Sequence, residues 1–203
     1  MPKNICTIIL AAGASSRFGA NKLLHRVDDM PMYEHIVKLA MQLETACTII
    51  VTKYPQISQN LPENFLVVDN QRTDLGQSYS MRLGLKLALA QAKQFDGFLF
   101  CVSDQPYLSL FTMHKLCQVW QQKGGICALS HHGRRGNPVL FDSCYVPELL
   151  AVQGDTGGRS VIRAHLDRLT LVEVESDFEL VDVDTKAALL QVLHKHTSKD
   201  NNS

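Results

Sequence analysis

No stretch of this 203-residue chain is apolar for the roughly 18–20 residues that a membrane-spanning helix needs, and the longest such run, Ile5–Ala14, is strand-sized. Net charge is missing too: twenty Lys plus Arg balance twenty Asp plus Glu, so no overall field holds the chain on nucleic acid or on a membrane surface. The six cysteines (Cys6, Cys47, Cys101, Cys117, Cys127 and Cys144) include no C-x-x-C pair, which argues against a zinc knuckle or a thioredoxin-type motif. Cys6, Cys47, Cys101 and Cys127 sit in apolar, strand-like runs and read as buried small hydrophobes of a reducing compartment. The first residues lack the basic, apolar and cleavage regions of a signal peptide, and the cytoplasm is the expected location. Internal repeats and low-complexity linkers are absent as well. The length suits one domain, expected over residues 1–196, followed by a flexible polar tail at 197–203.

What is present is an alternation of strand and helix patterns. Ile5–Leu10 and Gly97–Val102 are continuous apolar runs, as strands buried on both faces should be. Thr48–Val51, Phe65–Val68 and Leu169–Val174 read as further strands. Gln77–Ala92 is a long amphipathic helix with Met81, Leu85, Ala88, Leu89 and Ala92 on one stripe, Leu110–Gln121 is a second, and Lys186–His194 is expected to close the chain. This alternation predicts an α/β fold: a Rossmann-like open sheet, mostly parallel, with helices on both faces. The strands Ile126–Ser130 and Pro138–Phe141, flanking a basic loop, break the alternation and are expected as a small antiparallel insertion at the sheet edge. Ligands of such sheets bind beyond the carboxyl ends of the strands, which directs attention to the loops after Leu10, Val68, Val102 and Val174.

The loop after the first strand, Leu10-Ala-Ala-Gly-Ala-Ser-Ser-Arg-Phe-Gly-Ala-Asn-Lys-Leu-Leu24, combines small residues, hydroxyls, Arg17 and Lys22. Its backbone N–H groups can form an anion nest, and Arg17 and Lys22, the lysine read as exposed, add positive charge. It matches neither G-x-x-x-x-G-K-[ST] nor G-x-G-x-x-G, so a P-loop ATPase and a plain Rossmann dehydrogenase both lose ground. A tight turn with solvated cations is the bland alternative, and the position at the end of a buried first strand argues against it.

The same loop resembles the L-A-A-G-x-S-x-R-x-G-x-x-K-L signature of the MobA-like nucleotidyltransferases, above all their molybdenum-cofactor cytidylyltransferase branch. Asn70–Gly84, Ser103-Asp104-Gln105-Pro106, Gly136-Asn137-Pro138-Val139, Gly154-Asp155-Thr156-Gly157-Gly158-Arg159 and Asp182-Val183-Asp184-Thr185 resemble further elements of that family in order and spacing. Two departures stand out: Gly158 replaces an Ala, and Lys186-Ala187-Ala188 replaces the Pro-Glu-Asp that follows Asp-Thr. The resemblance implies transfer of a CMP group from CTP to the phosphate of a molybdopterin-type cofactor, with Mg²⁺ as cofactor and release of pyrophosphate. A molybdoenzyme or its chaperone would receive the product, and neither nucleic acid nor membrane is a partner. The same chemistry on a sugar, polyol or lactate phosphate, or a non-catalytic cofactor-delivery role, are the alternatives.

Residue by residue, the resemblance implies that Ala11, Ala12, Gly13 and Ser15 hold the triphosphate, and that Arg17, Lys22 and Asp104 are catalytic. Asp104 and Asp184 would be the metal ligands, a hard cation favouring carboxylate oxygen near phosphate. Asp182 and Asp184 alternate, so only one readily faces the site if the segment is extended, and Asp182 is expected in a structural role. Gly76, Ser78 and Ser80 would border the base and sugar, with Ser78 also read as a helix cap. Asn137 and Arg159 would face the acceptor. His131, His132, Arg134 and Arg135 form the one local basic cluster, either a solvated loop or part of that acceptor site. His194 and His196 read as surface.

Overall fold

A computed structural model of the chain describes residues 4–13, 18, 21–185, 187, 188 and 190. In chain order the elements are β1 (Ile5–Ala11), the two short strands β2 (Arg26–Val27) and β3 (Met30–Pro31), α1 (Met32–Gln42), β4 (Cys47–Thr52), α2 (Pro55–Ser58), β5 (Phe65–Asp69), α3 (Gln77–Leu89), β6 (Gly97–Val102), α4 (Leu110–Lys123), β7 (Ile126–His131), β8 (Arg134–Asp142), α5 (Val146–Ala151), α6 (Arg159–Ala164) and β9 (Leu169–Glu173). Seven strands form one sheet in the order β5-β4-β1-β6-β8-β7-β9, and β2 pairs with β3 in a separate small antiparallel ribbon. The fold is the expected mostly parallel α/β sheet with helices on both faces.

The apolar continuity of β1 has its reason in the two layers that cover it. Ile5, Ile9 and Ala11 pack on the side of α1 and α4, against Ile36, Leu116 and Trp120. Cys6 and Ile8 pack on the other side, against Met81, Leu85 and Ala88 of α3. Helix α3 lies so close to β1 that a Cβ on Gly84 would stand 2.5 Å from Ile8 Cγ2, so that position requires glycine. Helix α4 starts where Ser109 Oγ accepts from the Thr112 N–H (3.1 Å), an ordinary side-chain cap. No helix among the described residues is long and apolar enough to cross a membrane.

One expectation about the sheet is corrected. The antiparallel strand is not at the edge: β8 lies inside the sheet, antiparallel to both β6 and β7, while β9 pairs parallel to β7 and forms the border. Val139, Leu140 and Phe141 of β8 are buried, as befits an interior strand, whereas Leu171 of β9 is exposed. The expected basic loop is largely absent too. His132 and Gly133 take positive φ (48° and 74°), which closes the tight turn between β7 and β8, and Arg134 and Arg135 already belong to β8. The closing helix expected over 186–194 and the tail at 197–203 lie outside the described residues, apart from 187, 188 and 190.

Candidate active site

Three segments converge beyond the carboxyl ends of β1 and β6. Lys22 opens a short 3-10 turn, Lys22–Leu24, whose first turn is capped by Asn21 Oδ1 accepting from the Leu23 N–H (3.1 Å). Asp104 follows β6 after Ser103, whose Oγ donates to the Leu10 carbonyl (3.1 Å) and ties the two strand ends together. Asp184 arrives from the C-terminal segment through a backbone bond, the Val183 N–H donating to the Asp104 carbonyl (2.9 Å). That segment is not a strand. It is an irregular stretch after a 3-10 turn at Asp177–Leu180, and buried Val183 anchors it.

Lys22 Nζ lies between the two carboxylates, 2.7 Å from Asp104 Oδ2 and 2.6 Å from Asp184 Oδ1. Lys22 is buried, which corrects its reading as an exposed lysine: only 7% of it is accessible. Burial works against its charge, but the Asp104 and Asp184 carboxylates outweigh that and hold the ammonium above its usual range. Asp104 Oδ1 is buried and has no hydrogen-bond partner among the described residues. Asp182 points away from this cluster, its Oδ1 accepting from Gln105 Nε2 (2.9 Å). Its burial, followed by the nearby Asp104 charge, pushes its carboxyl up to about 6.

The cluster forms one wall of a cavity of about 570 Å³, also lined by Ala12, Gly13, Gly76, Ser80 and Asp155. Ala12 borders this space, and a Cβ on Gly13 would meet nothing within 4 Å among the described residues. Tyr54 Oη donates to the Gly13 carbonyl (2.7 Å), a support that sequence reasoning missed because nothing marks a lone Tyr after β4. Ala11 is elsewhere than expected: it is the last residue of β1, fully buried, and its carbonyl accepts from Thr52 Oγ1 (3.0 Å). Ser15 and Arg17 lie outside the described residues.

Ser78 is also corrected. It neither caps α3 nor reaches the cavity; fully buried, it donates from Oγ to the Gly154 carbonyl (2.6 Å). The cap comes from far along the chain, with Asp155 Oδ1 accepting from the Gln77 N–H (3.1 Å), and Arg82 Nη1 donates to the Val152 carbonyl. Ser80 accepts from Asn70 Nδ2 (2.8 Å). The loop at 152–158 is thus clamped onto the start of α3. Gly76 makes this contact possible, with φ 78° and ψ −179°, and a Cβ there would stand 2.6 Å from the Gly154 carbonyl carbon and oxygen. Gly76→Ala is therefore expected to cost about 2–4 kcal/mol, strain and overlap together, read as a lower urea midpoint at unchanged slope. A loss below about 0.5 kcal/mol would contradict the clamp.

A second cavity of about 460 Å³ adjoins the first, and Leu10, Gln77 and Val102 line both. Asn137 and Arg159 are on its wall, together with His131, Arg134, Arg135 and Asp182. Burial and the neighbouring charges of Arg159 and Arg163 hold the Arg135 guanidinium below its usual range, so three cations crowd here. None of the three forms an ion pair among the described residues. Of the expected basic cluster, His131, Arg134 and Arg135 thus share a cavity wall with Arg159, and His132 does not line it.

A family model described as the MobA-like NTP transferase domain matches residues 7–169. The chain belongs to this family. As a MobA-like transferase it is a nucleotidyltransferase. It is 24% identical to the purine catabolism protein PucB of Bacillus subtilis (strain 168) over 189 residues, 88% of this chain and 90% of that protein. It is 29% identical to a probable molybdenum cofactor guanylyltransferase of Natranaerobius thermophilus over 109 residues, 54% of this chain and 51% of the other. The structure of Rv0371c from Mycobacterium tuberculosis H37Rv superposes with a TM-score of 0.81 at 21% identity, covering 96% of this chain and 100% of that one, and Rv0371c has also been solved as a manganese complex.

The residues of this MobA-like chain fit a divalent cation that shares its ligands with a nucleotide. Among the described residues no group of three or more His, Cys, Asp or Glu side chains could hold a metal. Asp104, with its unpartnered buried Oδ1, and Asp184 supply two hard oxygen donors at the cavity wall. A cation there would need phosphate oxygens and water to complete an octahedron.

Proposed function

We propose that this transferase moves a CMP group from CTP to the phosphate of a molybdopterin-type cofactor and releases pyrophosphate. The observation that carries this reading is the pair of adjoining cavities at the carboxyl edge of the sheet. One is walled by Lys22, Asp104 and Asp184, and the other is lined by Arg135 and Arg159. An anionic nucleotide and an anionic acceptor can meet only where each finds its own compensating charge.

The triphosphate enters the larger cavity against the backbone at Gly13, where no side chain among the described residues blocks a close approach. Arg135 and Arg159 take the acceptor phosphate on the other side. An oxygen of that phosphate, already ionised at neutral pH, attacks the α-phosphorus of CTP. The new O–P bond forms as the bond to the β-phosphate oxygen breaks, and the electron pair leaves with pyrophosphate, so no proton has to be moved. Lys22 offsets the charge that develops on the departing oxygens. Alignment across the two cavities supplies the rest of the rate. Mg²⁺, held by Asp104 and Asp184, would neutralise phosphate charge and orient the α-phosphate when bound. From the sequence resemblance, Ser15 of the first loop remains a candidate for holding the triphosphate, and Arg17 for offsetting charge on the leaving pyrophosphate beside Lys22.

Ala12 supports the choice of CTP, because it lines the nucleotide cavity and carries a methyl that a glycine there would lack. A larger purine needs that space, and a methyl-sized obstacle is worth about 1–3 kcal/mol. Measuring pyrophosphate from each NTP with Mg²⁺ and a molybdopterin-type acceptor should give a kcat/KM for CTP about 10–100-fold above that for GTP. Equal values would overturn the assignment of CTP, and release only with a sugar, polyol or lactate phosphate would move the acceptor. Arg159→Ala is expected to raise the acceptor KM about tenfold or more, the worth of a charge-assisted contact, with CTP binding unchanged. An effect confined to CTP affinity would transfer Arg159 to the nucleotide side.

A further inference from the structure

The Lys22 ammonium occupies the space between Asp104 and Asp184 that a divalent ion would need. Its contacts with them are short, 2.7 Å and 2.6 Å, and it is buried where the carboxylates are partly open, with side-chain exposures of 9% for Lys22, 21% for Asp104 and 51% for Asp184. Lys22 is also held by the capped turn that begins with it, so its placement is not that of a free surface side chain. Two carboxylates this close repel unless a positive charge lies between them. In the free protein that charge is supplied by the chain itself.

We propose that Lys22 is an internal counter-cation. It holds Asp104 and Asp184 together in the nucleotide-free enzyme and excludes a divalent ion from them until a nucleotide arrives. The metal and the triphosphate then enter as one unit. The phosphate oxygens give the ammonium a new anionic partner in the same cavity, which Lys22 also lines, and the carboxylates are released to the metal. The exchange keeps charge balanced at each stage, because one cation leaves the carboxylates as another takes its place. This inference rests on the assignment of Asp104 and Asp184 as the metal ligands. It adds that Lys22 controls when they are available.

The test is Mn²⁺ binding to the nucleotide-free protein, read from the electron paramagnetic resonance signal of free Mn²⁺, for wild type, Lys22→Met and the double variant Lys22→Met/Asp104→Asn. Removing the competing charge should make Lys22→Met bind Mn²⁺ on the order of tenfold more tightly than wild type, and the double variant should lose that gain. With CTP present the order should reverse, wild type binding more tightly. Binding by Lys22→Met no tighter than wild type without nucleotide would overturn the proposal. Should that variant fail to fold, the wild-type protein decides by the ¹H–¹⁵N signal of the Lys22 ammonium. It should be protected without nucleotide, unchanged by Mg²⁺ alone and shifted by Mg²⁺ with CTP, and a shift with Mg²⁺ alone would overturn the proposal. None of these readouts requires turnover, so failure of the transfer reaction and failure of the counter-cation are told apart.

Discussion

Asp104→Asn should lower kcat by about 10³-fold or more, while folding stability falls by only about 1 kcal/mol. The asymmetry follows from the position of the side chain. Asp104 Oδ2 bonds Lys22, while Oδ1 is buried without a partner among the described residues. An asparagine keeps an acceptor for Lys22 and loses the negative charge that would hold a divalent metal beside the triphosphate. Asp184→Asn should follow the same pattern. Asp182→Asn should be far milder, because that carboxylate is bonded to Gln105 and lines the other cavity. Titrating Mg²⁺ against activity in the three variants checks this. If Asp182→Asn shows the largest rise in Mg²⁺ requirement, the metal assignment moves to Asp182.

Lys22→Ala should lower kcat by roughly 10²–10³-fold, the usual cost of losing one group that meets developing charge. It should also destabilise the fold, by about 1–2 kcal/mol. The loss of a doubly paired buried lysine leaves two carboxylates facing each other, and solvent at half-exposed Asp184 screens part of that repulsion. Thermal melting should show a drop of a few degrees for a chain of this size. Wild-type kcat in this variant would contradict its role at the leaving group. An unchanged melting temperature would contradict the buried ion pairs.

Much of the sheet could be read from the chain because its strands are buried on both faces. The uninterrupted apolar runs of β1 and β6 have no other explanation, and the bounds of β6 agree residue for residue with the pattern. The position of β8 could not be read. Arg134, Arg135 and Gly136 look like a polar loop, and they become strand only because the turn at His132 and Gly133 hands them to β7 as a partner. Strand order depends on such long-range pairing, which local pattern does not encode.

The site was legible as a set of motifs and not as an arrangement. A lysine in a glycine-serine loop reads as solvated. Its burial depends on Asp104 and Asp184, which lie 82 and 162 positions away. The alternation of Asp182 and Asp184 did translate into space, since the two side chains part toward different cavities even though the segment is not a strand. Ser78 read as a cap because serine near a helix start usually is one. The clamp on Gly154 that it makes instead depends on a loop 76 residues on, brought close by the glycine at position 76.

The most direct test follows the α-phosphate. With CTP labelled at that phosphorus, Mg²⁺ and a molybdopterin-type acceptor, the label should appear in a product whose mass equals acceptor plus CMP less water, with one pyrophosphate released per molecule formed. Label recovered only as free CMP, or retained in CTP with every phosphorylated acceptor supplied, would contradict nucleotidyl transfer as the function of this site.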